Sequence, residues 1–230
     1  SSFSSGGICC RLLESGAIIG DKGPAVIPKD ISGELLLSIL NTRVPNYLLR
    51  AISGINQVQY PYVLKVPVID IKNKLERKLI TNTQDLCLKL KEKRLDYEEL
   101  HLRHYSQSPP YVGQSSMVAS NRGMLNEMIT DSMYILLLEF ALEKYVANCY
   151  GLSENTIKLI FSETGTPAGW YPLVATYDTL PPLPDGLPEI PQEVLTDLAG
   201  HERRTISPDS LATLKANLRT LYEAGPGAKV

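Results

Sequence analysis

The sequence predicts an α+β chain: a small mixed β/α unit, then a long antiparallel helix pair, then an irregular proline-rich tail that ends in helices. Three observations carry this. Short apolar runs punctuated by glycine and proline occupy the first 27 residues, and residues 72–104 contain neither glycine nor proline. A second long periodic segment follows a Pro-Pro break at Pro109 and Pro110. Strand-length apolar runs between turn residues read as strands, and apolar positions repeating every three to four residues read as helices.

Taken in order, Ile8 to Leu13, Ala17 to Ile19 and Ala25 to Ile27 are separated by Gly16, Gly20, Gly23 and Pro24, the spacing of short antiparallel strands. Ser32 is an N-cap for a helix whose Leu35, Leu36, Ile39 and Leu40 share a face, and Val44, Tyr47, Leu48 and Ile52 start a second helix across Pro45. Ser53 to Tyr62 is a polar and aromatic loop, and Val63 to Ile71 around Pro67 is an edge strand or extended segment. Lys72 to His104 is a long helix with Leu75, Leu79, Leu86, Leu90, Tyr97 and Leu100 at near-heptad spacing.

Asn121 to Tyr150 is its counterpart, with Leu125, Met128, Ile129, Ser132, Ile135, Leu136 and Phe140 on its stripe, and the two should pack antiparallel because neither buries its stripe alone. Gly151 stops the second helix, and Ser153 with Glu154 starts a short one to Phe161. Glu163 to Glu189 should wrap the surface with Trp170, Tyr171 and Tyr177 tucked in. Pro191 to Leu198 is a short helix, and Ser207, Pro208 and Asp209 open a last one ending at Gly225. The divisions are residues 1–71, 72–162 and 163–230.

Composition narrows function. The chain has 230 residues, 43% apolar and 21% charged, and a net charge of -2, which excludes global disorder and any overall pull toward polyanions. The longest apolar run, Met133 to Leu138, is far short of the ~20 residues of a membrane span. The start has neither an initiator Met nor a signal region and reads as trimmed or internal. Cys9, Cys10, Cys87 and Cys149 are spaced for neither a disulfide framework nor a zinc site, so a reducing, cytoplasmic compartment is expected.

Ser108, Pro109, Pro110 and Tyr111 spell the tetrapeptide with which amino-group DNA methyltransferases grip a flipped base. That use needs a preceding apolar strand, and here the polar helix end His101 to Gln107 precedes it, so a helix-breaking turn is the reading adopted. His101 and His104, one turn apart, lack a third metal ligand, and His201 stands alone. Neither a nucleophile elbow nor a glycine-rich cofactor turn is visible. Arg43, Arg50, Asn56, Gln57, Gln59 and Lys65 cluster beside the β unit. Arg and Lys meet phosphate or guanine, and Asn and Gln pair with adenine, so these six are the candidate DNA-binding residues.

Several pieces occur in a familiar order: Ser5 to Leu13 (SGGICCRLL), Gly16 to Ile19, Asp21 to Pro28, Leu35 to Arg50 (LLLSILNTRVPNYLLR), Val66-Pro67-Val68, and Tyr150-Gly151-Leu152. Residues 5–160 thereby resemble the closing part of the target-recognition domain of large adenine-specific DNA methyltransferases. These include fused type IIG restriction-modification enzymes and the BREX and DISARM phage-defence methyltransferases. In that family a leucine-rich helix ends in Leu-Asn-Ser, where this chain has Thr42. The resemblance implies a mixed β/α recognition domain with helical spacers, with catalysis and S-adenosylmethionine on an amino-terminal domain outside this chain. Cofactor and metal are expected to be absent from the chain itself, which alone should not methylate. Its partners would be double-stranded DNA, that amino-terminal methyltransferase domain and other defence-system subunits, without a membrane. The alternative is a protein-interaction module that binds a partner subunit of a defence complex through its long helices.

Overall fold

The structure, a computed structural model, describes residues 8–13, 16, 25–53, 60–95, 116–174, 182–183, 187–188, 190–204 and 206–224. Helices dominate them: α1 (Gly33–Leu40), α2 (Arg43–Ser53), α3 (Tyr60–Val63), α4 (Lys74–Leu95), α5 (Met117–Cys149), α6 (Glu154–Thr164), α7 (Gln192–Ala199) and α8 (Pro208–Ala224).

The expected α+β architecture is overturned. Among the described residues the only paired extended backbone is a two-residue parallel rung, Leu173–Val174 (β1) beside Arg203–Arg204 (β2). Residues 8–13 and 25–28 carry no ladder, and residues 17–19 lie outside the described set. The reason is visible at the first segment, whose backbone partners are side chains: Cys10 N–H donates to Asn41 Oδ1 at 2.7 Å, Asn41 Nδ2 donates to the Cys10 carbonyl at 3.1 Å, and Ile8 N–H donates to Asn46 Oδ1. Two carboxamides thus take the place of a neighbouring strand.

The helix starts follow their caps. Ser32 Oγ accepts from Leu35 N–H at 3.2 Å, Ser116 Oγ from Ala119 N–H at 3.2 Å, Ser153 Oγ from Thr156 N–H at 3.3 Å and Ser207 Oγ from Ser210 N–H at 3.1 Å. Gly151, at φ 67°, ends α5 in a left-handed turn that favours glycine.

α4 and α5 pack antiparallel, as expected, but α5 turns a different face to α4 from the stripe read in the sequence: of that stripe only Ile135 is buried, and Leu125, Ile129 and Leu136 are exposed. Ile80 near the start of α4 meets Leu142 and Val146 near the end of α5, and Leu86 and Leu90 further along meet Met133 to Leu138. The extension to His104 falls outside the described residues. α1 lays Leu35 and Ile39 against the same pair, in a cluster with Ile71, Ile80, Leu142 and Val146. α2 and α6 cover another side, where Val44 packs with Ala147, Ile160 and Phe161.

The tail closes over α5. Trp170, in a short 3₁₀ turn (Ala168–Trp170), stands edge-on to Phe140 at 5.6 Å and Phe161 at 5.4 Å. The turn comes so close that a Cβ on Gly169 would sit 2.4 Å from the Leu136 carbonyl oxygen. The aromatics are not tucked in as expected: Trp170, although one edge meets the two phenylalanines, and Tyr171 both remain exposed, and Tyr177 is outside the described residues. α7 buries Val194 and Leu198 in the α4–α5 core, and its Asp197 accepts from Tyr145 Oη at 2.7 Å and Lys144 Nζ at 3.1 Å. Leu214 and Leu218 of α8 are exposed.

Candidate functional site

The segment that carries most of the sequence resemblance, Leu35 to Arg50, builds the α1–α2 turn. Thr42 is buried and its Oγ1 donates to the Ile39 carbonyl at 2.8 Å, closing α1. Asn46, also buried, donates from Nδ2 to the Thr42 carbonyl at 3.0 Å while its Oδ1 receives the Ile8 amide. The polar residues of this stretch therefore organise a tight corner and hold the extended segment of Ile8 to Leu13 against it.

The corner is anchored from a distance by Glu143. Its carboxylate accepts the Arg43 amide proton through Oε2 at 2.8 Å and Oε1 at 3.1 Å, placing an anion at the positive end of α2. Burial pushes the Glu143 carboxyl up to about 7, against the smaller opposing pull of the Arg43 amide and guanidinium. Arg43 Nε lies 4.0 Å from Glu143 Oε1, is itself buried and has no hydrogen-bond partner.

Of the six candidate DNA-binding residues, Arg43 and Arg50 both lie on α2, and both serve contacts within the chain. Arg50 Nη1 donates to the Glu163 carbonyl at 2.5 Å, tying α2 to the last turn of α6. Lys65, after α3, is exposed and sits 5.8 Å over the Tyr62 ring. Asn56, Gln57 and Gln59 fall in residues 54–59, outside the described residues. The structure thus brings Arg43 and Arg50 onto one helix with Lys65 further along the chain.

Glu143, Asn41 and Asn46 escaped the sequence reading. Glu143 had a signal: it is a lone carboxylate on the helix line that carries Phe140 and Ala147, where solvent-facing charge is out of place. The two asparagines had none, because nothing local marks an amide as the partner of a backbone 31 or 38 residues away.

The other chemical candidates have little support. The tetrapeptide Ser108 to Tyr111, together with His101 and His104, lies outside the described residues. His201 Nε2 is 3.1 Å from the Tyr171 carbonyl. Cys87 is buried in the core, and burial pushes its thiol up to about 12, the opposite of nucleophile activation. Among the described residues no group of three or more His, Cys, Asp or Glu is placed for a metal, and no helix is long and apolar enough to cross a membrane. A cleft between Leu137, Phe140, Lys144, Asp197 and His201 has a volume of about 30 Å³, room for about one water and far below a ligand site.

Three lysines in the second half of α4 are paired with carboxylates. Lys91 Nζ meets Glu139 at 2.6 Å, Lys93 Nζ meets Glu127 at 3.4 Å and the fully buried Asp131 at 3.6 Å, and Lys89 meets Glu92 at 3.3 Å. Lys89, Lys91 and Lys93 in the second half of the helix are therefore each matched to a carboxylate.

Compared with known proteins, the chain matches no protein-family model, no curated protein and no solved structure.

Proposed function

We propose that this chain is a DNA-specificity element: the closing part of the target-recognition region of an adenine-specific DNA methyltransferase from a restriction-modification or phage-defence system. One observation carries the reading. Four of the six pieces that carry the sequence resemblance, far apart along the chain, touch one another in the fold, residues 17–24 of the other two lying outside the described residues. Ile8 and Cys10 of the first piece bond to Asn46 and Asn41 of the second, and Tyr150 of the last piece donates its hydroxyl to the Pro67 carbonyl at 2.7 Å. A set of motifs that assembles into one unit is what a shared recognition scaffold requires.

In this reading the scaffold docks on duplex DNA and positions a catalytic domain over an adenine that is flipped out of the stack. S-adenosylmethionine binding and methyl transfer belong to that amino-terminal domain, and the compartment is cytoplasmic. Asn56, Gln57 and Gln59 read base edges, and Lys65 supplies phosphate contact. Arg43 and Arg50 shape the platform from within.

The test is selection of duplexes from a random pool by the full-length protein, followed by binding measured across a salt series. Enrichment of a short adenine-containing site, lost on combined Asn56→Ala, Gln57→Ala and Gln59→Ala substitution, is the expected outcome. Absence of enrichment, or affinity indifferent to salt, overturns the proposal.

A second reading, a protein-interaction module acting through the long helices, is favoured by the exposed Val118, Leu125, Ile129 and Leu136 of α5. Salt-insensitive capture of a defence-complex subunit, without DNA binding, would select it.

A further inference from the structure

Helix α5 continues an apolar line beyond the part that the other described residues cover. At about 100° per residue, Val118, Leu125, Ile129 and Leu136 point within about 40° of one another. Phe140, Glu143 and Ala147 extend the same line toward the helix end. That end is packed: Phe140 under Trp170, Glu143 on Arg43, Ala147 against Val44 and Phe161. The first half is open, with Val118 69%, Leu125 52%, Ile129 63% and Leu136 42% exposed.

The open half has a property that selects its occupant. Its residues are spaced seven, four and seven apart, a pattern that reads the same in both directions. An antiparallel copy of the helix related by a two-fold axis at Glu127 sets Val118 opposite Leu136 and Leu125 opposite Ile129, each pair formed twice. Arg122, the charged residue flanking the line, falls opposite Ser132 and lies about 15 Å along the axis from its own copy. Like charges therefore do not face one another, and the opposed helix dipoles add a small favourable contribution.

We propose that the first half of α5 is a self-association surface, on which a second copy of this chain packs its own α5 antiparallel about Glu127. The surface is continuous with the interface that α5 already makes with α2 and the Trp170 turn, and it stands independently of the DNA reading. The contact runs about 27 Å along the helix and is narrow, which places it among weak, concentration-dependent dimers.

Sedimentation equilibrium of the 230-residue chain up to about 500 µM reads this directly. A monomer–dimer equilibrium is expected, weakened about tenfold or more by Leu125→Asp or by Ile129→Lys. The double variant Leu125→Asp with Ile129→Lys should recover dimerisation, because in the antiparallel register each introduced acid faces an introduced base. Both sites are exposed, so circular dichroism should remain that of the parent; Leu125→Gln repeats the test should the charged change disturb the helix. A monomer throughout overturns the proposal, as does a dimer indifferent to both single substitutions or one lost only when residues 206–230 are removed. A double variant weaker than either single variant overturns the antiparallel register.

Discussion

Glu143 and Arg43, 100 residues apart, form the contact that fixes the start of α2: both carboxylate oxygens of the first accept the backbone amide of the second, at 2.8 and 3.1 Å. Charge complementarity with the helix end favours the ionised carboxylate. Burial opposes it more strongly, and the carboxyl is held up to about 7 instead of 4.5.

This contact makes stability depend on pH. Because the folded state favours the protonated form, the contribution is fully present below the ordinary value, falls as pH rises and is gone above about 7. Denaturant unfolding at acid and mildly alkaline pH should show the parent losing up to about 3 kcal/mol more across this window than Glu143→Gln. The amide keeps an acceptor for the Arg43 N–H and has no charge to desolvate. Parallel pH profiles for the two proteins would sink this account.

Gly169→Ala tests the docking of the tail. The added methyl would lie 2.4 Å from the Leu136 carbonyl oxygen and 2.6 Å from Phe140 Cβ, so backbone must shift. We expect a stability loss of about 2 kcal/mol and an altered Trp170 fluorescence spectrum, since the indole sits on Phe140 and Phe161. An unchanged melting curve and spectrum would show that the turn is not seated as described.

The two asparagines separate by burial. Asn46→Ala removes a buried amide that serves both Ile8 and Thr42, and should cost about 1–3 kcal/mol. Asn41 is exposed, so Asn41→Ala should cost less than about 1 kcal/mol while accelerating hydrogen exchange at the Cys10 amide. Unaltered Cys10 exchange in Asn41→Ala would contradict the clamp.

Arg50 and Lys65 should part company in the same way. Arg50→Ala removes the tie to the Glu163 carbonyl and is expected to lower stability by about 1 kcal/mol. Lys65→Ala should leave stability within about 0.5 kcal/mol but reduce the salt slope of DNA binding by about one unit. The reverse assignment, Lys65 lowering stability and Arg50 only the slope, would move the phosphate contact to α2.

Helices were legible from the sequence and the β unit was not, for definable reasons. Ser32, Ser153 and Ser207 cap through bonds confined to neighbouring residues, whereas the Ser116 cap was missed, α5 starting at Met117 and not at Asn121, and periodicity showed that α5 is a helix without showing which face it buries. Such signals are local. A strand is defined by its partner, and the glycine-punctuated apolar run Ile8 to Leu13 found its partner in Asn41 and Asn46. Apolar runs between turn residues say that a segment is extended and nothing about what satisfies its backbone. Similarly, Arg43 and Arg50 carry the right chemistry for phosphate, but their use is decided by Glu143 and Glu163 from distant helices.

The packing of α1 sets an order on synthesis. Leu35 and Ile39 find their cover on Ile80 of α4 and on Leu142 and Val146 of α5, the last of these more than 100 residues downstream. At about 5–20 residues translated per second, roughly 5–20 s separate the appearance of α1 from that of its lid. During that interval α1 is covered only by Ile71 and by Ile80 of α4, so the cluster is built in two stages and is closed last by Leu142 and Val146.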